Sequence, residues 1–534
     1  MNLEEAVLHQ PKEYRQADGR RERVLAMLGL GLVLFLVSLD QTVVGTAMPQ
    51  VIAELNGFEW YAWVATAYLL TETTAIPIVG KLGDMYGRKW LTIIGVAIFV
   101  ASSAFCGMAH SMLWLIVGRG VQGLGGGILF STIFALVADI YPDLKDRARY
   151  QGLLFSVFAL SSVIGPVLGG WITDSLSWRW VFYVNLPLGL LALVVLPLVL
   201  PQNTRQSGAR VDYLGAVTIT VCVVALLLAL EWVGAGHAWS SPQVMAGLAV
   251  AALAFMAFVP VERRAAEPII PFGLFRNRTI AAMSVVLFLV GIVMFGVILY
   301  TPLFMQGVLG LSASASGQAM IPMAITLTLM GIGAGQLMAR SGAVKPLLVF
   351  GVGVMSLGVL LLATLLHSNS NPLLVSAFLF VMALGLGTVN PVTTLAVQAA
   401  VEPEVLGVAT SVTQFIRAIG TTAGTALIGT VVTNSYVARL AAGAPPGTPA
   451  AAMAALRSPN ALINQDALHH LAQLMAQSPN QAELTQALLE AARIGLAGAI
   501  QNGFWVMLGA ALLAFVGVFL LGINRRSFAP NLKF

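Results

Sequence analysis

Four charged side chains stand deep inside apolar runs of this chain: Asp40, Glu72, Arg119 and Arg417. Asp40 sits in Leu36-Val37-Ser38-Leu39-Asp40-Gln41-Thr42-Val43-Val44, within a run from Val24 to Met48 that is long enough to cross a bilayer. A carboxylate there costs roughly 2.5–3.5 kcal/mol at the bilayer centre, and residues so placed face a cavity or a partner and carry protons or ligands. Glu72, in Leu70-Thr71-Glu72-Thr73-Thr74, lies about a dozen residues into the next run. At about 1.5 Å per residue that is about 18 Å deep. It is a second candidate proton site or cation anchor. Arg119 and its near neighbour Gln122 lie in Leu115-Ile116-Val117-Gly118-Arg119-Gly120-Val121-Gln122-Gly123. A guanidinium buried in this way requires a carboxylate or polar partner. Arg417 is equally deep in a later run, where it shapes the field of a cavity or bonds to carbonyls. No Asp or Glu falls in any apolar run from residue 279 onward, so the proton-handling groups belong to the first half.

The elements that position these groups follow from composition. The chain is 58% hydrophobic and 10% charged over 534 residues, against about 25% charged in soluble domains. It reads as an all-α membrane protein. With about 20 apolar residues per crossing, it divides into about fourteen transmembrane helices, the first at 24–48 and the last at 501–523. The predicted organisation is a tail at 1–23, a six-helix bundle at 24–200, and a linker with two additional helices at 201–278. A second six-helix bundle at 279–523 and a tail at 524–534 follow. Within the second bundle, 434–500 is Ala-rich. The spacing of Leu468, Leu471 and Met475, then Leu484 and Leu488, predicts two short amphipathic helices forming a hairpin, parted near Ser478-Pro479-Asn480. The apolar run after the tail is too long for a signal-peptide core.

Basic residues fix the orientation. Of the 28 Lys and Arg, 22 fall on the side of the N-terminus, four on the other side, and two within helices. The positive-inside rule then makes both termini cytoplasmic. The net charge of +5 is spread between apolar runs, which argues against nucleic acid as a partner. Cys106 and Cys222 lie inside apolar segments and form neither a disulfide framework nor a metal cluster. His469-His470 has no further ligands near it in sequence. There is no G-x-x-x-x-G-K-[ST] loop. The chain is therefore read as no enzyme, without cofactor, and energised by an ion gradient.

The loop after the second run reads Gly80-Lys81-Leu82-Gly83-Asp84-Met85-Tyr86-Gly87-Arg88-Lys89. Its three glycines at 80, 83 and 87 permit a tight turn, Asp84 suits a helix N-terminus, and Arg88 and Lys89 supply counter-charge. This pattern resembles the signature loop of the major facilitator superfamily. That resemblance implies that Arg119 partners Asp40 in proton transfer. Gly165-Pro166-Val167-Leu168-Gly169-Gly170 looks like the superfamily's antiporter motif, found mainly in exporters, and predicts a kinked, tightly packed contact between the halves. Leu39 to Pro49, Trp178 to Pro187, Asp212-Tyr213-Leu214-Gly215, then Pro302, Gln306 and Gly310, and Arg417 to Gly420 resemble the fourteen-helix drug:proton antiporter branch. One departure is Gly45, where many members carry Asn.

The resemblance implies a proton-coupled multidrug efflux antiporter of the bacterial plasma membrane. It would export lipophilic, often monocationic or neutral compounds by alternating access, rocking two bundles about a central site. Asp40 would be protonated when the site faces outward and would release its proton inward. The expected cargo cavity holds Asp40, Glu72, Trp63, Tyr68, Gln122, Phe295, Tyr300, Phe304 and Arg417. Aromatic rings there would stack on cargo, and Met294, Met320 and Met323 would repack around varied shapes. The protein is read as a monomer in the lipid bilayer, with an accessory protein left open. Two competing readings are a lipid or glycolipid exporter that uses the 434–500 hairpin, and a non-transporting sensor or scaffold.

Overall fold

The computed structural model describes residues 20–520 apart from 56–59, 202–210, 235–236, 464 and 476–480. Most of the expected N-terminal tail, the linker after Pro201, the break at Ser478-Pro479-Asn480 and the C-terminal tail lie outside the described residues.

The described residues are helical with short connections. The first half comprises α1 (Arg20–Leu55), α2 (Tyr61–Tyr86), α3 (Arg88–Gly107), α4 (Met112–Ile140), α5 (Leu144–Ser175), α6 (Trp180–Tyr183) and α7 (Asn185–Val199). Then come α8 (Tyr213–Gly234) and α9 (Pro242–Arg264). The second half comprises α10 (Arg278–Leu303), α11 (Ala313–Ser341), α12 (Val344–Leu365), α13 (Pro372–Ala399), α14 (Leu406–Gly443), α15 (Ala450–Ala455), α16 (Gln465–Met475) and α17 (Gln481–Leu520). Helix is what apolar runs of this length must form in hydrocarbon, since every backbone polar group has to bond within its own segment. Short polar residues start several helices: Ser111, Asn277, Ser312 and Asn371 each accept a backbone N–H of the first turn.

Among the described residues, twelve helices are long and apolar enough to cross a membrane. The expected fourteen also requires α2 and α5, which have the length but are not among those twelve. Each half has its own apolar core. The halves meet along two seams, α2 against α14 and α5 against α11, while α8 and α9 pair with each other and α8 lies beside α14 and α2. We call the end carrying the 80–89 loop the basic end.

Three expectations differ from the structure. The sixth span is broken into α6 and α7. Pro187 has no N–H to return to the Tyr183 carbonyl, which weakens the helix at that turn. In the 434–500 segment the first expected short helix is present as α16, but no separate hairpin forms. Its second expected helix is the first half of α17, and α14 runs on to Gly443. The stripe Leu488, Ala492 and Leu496 continues one helical face into the last span, and it buries with Leu471, Met475, Tyr436 and Leu440 in the second core. Finally, the tight contact of the 165–170 motif is within the first half, and its approach to the second half is looser, with Val167 lying 3.7 Å from where a Cβ on Gly317 would stand. A Cβ on Gly165 would collide with Thr42 of α1, whereas Gly170 has open space around it. The close contact between halves is elsewhere on α5, where a Cβ on Gly152 would stand 2.8–2.9 Å from the backbone of Gly331 and Ile332. Gly169 is buried on α5; the side chain of Pro166 lies outside the described residues.

Candidate functional site

Asp40 and Arg119 form an ion pair of 2.6 Å with both side chains sealed from solvent. The Asp40 carboxylate is fully engaged. Its Oδ2 accepts from Arg119 Nη1, and its Oδ1 accepts from Gln122 Nε2 at 2.9 Å and from Asn185 Nδ2 at 2.7 Å. Arg119 also donates to Gln122 Oε1 at 2.7 Å and stacks 4.3 Å over the Tyr68 ring. Ser103 accepts a second bond from Asn185 at 3.0 Å. Every group facing Asp40 is a donor, so this geometry suits the ionised carboxylate. The helices come close because α4 is glycine-rich: a Cβ on Gly123 or Gly127 would overlap the α2 backbone.

Glu72 is buried on α2 and accepts from Gln41 Nε2 at 2.9 and 3.2 Å. Tyr68 is buried within reach of both acids. A Cβ on Gly126 would touch both the Tyr68 hydroxyl and Glu72 Oε1. One turn of α1 thus presents Asp40 to Arg119, Gln41 to Glu72, and Thr42 to a cavity.

That cavity, of about 460 Å³, lies between the halves. Phe130, Phe134, Phe155 and Phe158 line it from the first half, and Met294, Met320, Met323 and Met382 from the second. Its polar lining comprises Thr42, Gln306, Ser316, Asn390 and Arg417. Arg417 donates from Nε to Gln414 at 2.8 Å.

The expected cavity residues therefore separate into groups. Arg417 and the three methionines line it. Asp40, Gln122, Tyr68 and Glu72 lie behind it, in the charge network. Trp63, Phe295, Tyr300 and Phe304 are not in its wall; Phe304 and Tyr300 are buried in the second core. An aromatic next to a polar residue in sequence does not reveal which helix face it occupies. The four lining phenylalanines were missed for the same reason. Asn185 was missed as a ligand of Asp40, although an amide in an apolar run is the kind of signal that exposed Gln122.

Hydrogen bonds between the halves gather toward the basic end. Asp84, in the last turn of α2, caps the other half's α14: its Oδ2 accepts from Val408 N at 2.8 Å. Its Oδ1 accepts from Arg88 Nη2 at 2.5 Å, and Arg88 also pairs with Asp139. Gly80 and Gly407 have no room for a Cβ, which would meet Ser411 and Asp84 respectively. Gly83 is less tightly placed, 3.3 Å from Arg88. Gly87 turns the chain with φ 91°, a value that favours glycine. Lys89 donates to the carbonyls of Pro197 and Leu200, both at 2.7 Å, at the end of α7. Further along, Ser131 bonds Ser411 at 2.8 Å and Gln151 bonds Gln398 at 2.8 Å. The basic end is closed.

At the opposite end Glu54 accepts from Trp178 Nε1 at 2.7 Å and Arg179 Nη1 at 2.6 Å. The Arg179 hydrogen bond, then that of Trp178, holds its carboxyl below the ordinary range.

Comparison with known proteins agrees with this architecture. The Major Facilitator Superfamily profile matches residues 30–425. The multidrug transporter protein MdtP of Bacillus subtilis is 43% identical over 411 residues, 77% of this chain and 75% of that protein. Multidrug resistance protein 3 of the same organism is 36% identical over 414 residues, 78% of this chain and 80% of that one. The crystal structure of the human organic anion transporter MFSD10 aligns with a TM-score of 0.59 at 15% identity, covering 94% of this chain and 100% of that chain, a likeness of fold alone. With two helical halves around a shared cavity and a profile match across most of its length, the chain belongs to the major facilitator superfamily of multi-pass membrane proteins and is a secondary transporter rather than an enzyme.

Proposed function

We propose that this transporter is a proton-driven exporter of lipophilic compounds, set in a bacterial plasma membrane with its basic end in the cytoplasm. The observation that carries the reading is the placement of α1. It buries Asp40 in an ion pair on one face and lines the cavity through Thr42 and Gly45 on another. The names of the two Bacillus subtilis relatives support drug export.

The cycle follows from what a proton would do at Asp40. A neutral carboxyl loses its attraction for Arg119. Removing one partner of a buried pair shifts energies by about 3–5 kcal/mol, while moving a two-state equilibrium from 1:99 to 99:1 takes about 5.5 kcal/mol. Protonation is thus of the right size to release α1 from α4 and let the halves rock. The sequence reading assigned a protonated Asp40 to the outward-facing protein. Here the basic end is closed and Asp40 accepts three donors, so we read this arrangement as the one before proton uptake. The reprotonated form would reorient, and release of the proton to the cytoplasm would restore the pair.

The expected preference for monocations assumed that Asp40 and Glu72 face the cargo. Both lie behind the cavity wall, so that preference has no geometric support. The lipid-exporter reading relied on a separate outer hairpin, which packs instead as part of the second core. The test is export of a lipophilic dye into everted vesicles with and without a proton uncoupler. The uncoupler should abolish accumulation; accumulation that persists in its presence contradicts proton drive.

A further inference from the structure

The geometry points to Arg417 as the group that recognises cargo, and to lipophilic monoanions, such as aromatic carboxylates, as the preferred substrate class. This deepens the cargo reading of the cavity and rests on it.

Arg417 is the charged side chain in a wall built mainly of Phe, Met and aliphatic residues. A guanidinium has five N–H donors in a planar fork. Among the described residues only the Nε donor finds a side-chain acceptor, Gln414. Neither Nη is among the atoms buried without a partner, so both keep some exposure, on a residue that lines the cavity. Asn390 also lines the cavity, half-buried, and its side chain has no hydrogen bond among the described residues. Donors left open in an apolar wall call for an acceptor from the ligand, because a polar group there without a partner is costly. A carboxylate matches the fork with two parallel bonds.

The surroundings work against cations. Among the described residues no carboxylate lines the cavity. Glu72 is buried on α2 and held by Gln41. An ammonium group entering the cavity would meet a guanidinium with no adjacent counter-charge. The apolar body of a monoanion would lie against the phenylalanines and methionines, which set size rather than charge.

The test is equilibrium binding to the full-length protein in lipid nanodiscs at pH 7, corrected with empty nanodiscs. Three fluorescent probes share one aromatic body and differ in one group: carboxylate, methyl ester or trimethylammonium. The carboxylate should bind at least tenfold tighter than the ammonium. Arg417→Gln should bring the carboxylate to the level of the ester without changing ester binding, and Arg417→Lys should recover part of the loss. Should Arg417→Gln fail to fold, which lost ester binding would reveal, Arg417→Lys decides: a charge without the planar fork should cost carboxylate affinity and leave ester affinity as it was. The inference is overturned if the ammonium binds tightest, or if folded Arg417→Gln or Arg417→Lys keeps full carboxylate affinity. Equal binding of ester and carboxylate overturns the inference and leaves the cargo cavity standing, whereas no binding of any probe removes both.

Discussion

Replacing Asp84 with Asn weakens one contact between the halves, together with the Asp84–Arg88 pair inside the first half. Asp84 is the last-turn residue of α2, and its Oδ2 accepts the Val408 N–H in the first turn of α14. The amide keeps an acceptor but loses the charge. A hydrogen bond to a charged group contributes about 1.5–3 kcal/mol and a neutral one about 0.5–1.5. An anion at a helix N-terminus adds about 0.3–1 kcal/mol. The expected loss is therefore about 2 kcal/mol, a roughly thirtyfold shift away from closure at the basic end. Ser131–Ser411 and Gln151–Gln398 remain and prevent complete opening. Spin labels at the exposed positions Arg149 and Glu402 would report the change, and both native cysteines are buried. The distance distribution should gain a longer component in Asp84→Asn. A distribution identical to that of the wild type would refute the assignment of Asp84 as a lock.

Other consequences follow from particular contacts. Gly123→Ala places a Cβ against the Tyr68 carbonyl and the Thr71 hydroxyl, whereas Gly120→Ala meets only Thr71 Cγ2 at 4.0 Å. The first should lose about 1–3 kcal/mol and unfold several degrees lower in detergent; equal melting of the two variants would contradict the packing described. Gln151→Leu leaves Gln398 Oε1 without its partner and should cost about 1–3 kcal/mol. Adding Gln398→Leu should recover part of that loss in the same melting assay, and a fully additive double variant would show that the pair is not coupled. Glu54 lies beyond the apolar stretch 21–45, and its carboxyl is held low by Arg179. A depressed carboxyl stabilises the fold above the unfolded-chain value of about 4.3, and that contribution is lost as pH falls through the folded value. Glu54→Gln should therefore narrow its difference from wild type as pH falls below about 4; a difference that widens has the wrong sign.

Much of the architecture is legible in the sequence because bilayer thickness and backbone hydrogen bonding leave few options. The two additional helices and the charged residues behind the cavity follow from run length and the expense of intramembrane charge. The pairing of Asp40 with Arg119 entered through resemblance, and the structure gives its distance and the role of Asn185. Rotation about each helix axis was less accessible. With apolar residues on all faces, nothing in the sequence distinguishes Phe155, which lines the cavity, from Phe304, which fills a core. The same ambiguity placed Asp40 in the cavity wall, although Thr42, two residues on, occupies it. The small-residue motif at 165–170 announced close packing but not that its tightest contact is with α1 rather than with the other half.

The proposed proton switch at Asp40 is tested most directly with Asp40→Asn in everted vesicles under an imposed pH gradient, acid inside. Two rates matter: accumulation of cargo against its gradient, and its downhill exchange without a pH difference. The amide cannot cycle a proton, so accumulation should vanish while folded protein and some downhill exchange remain. Accumulation at the wild-type rate would contradict the account, since Asp40 would then have no part in coupling.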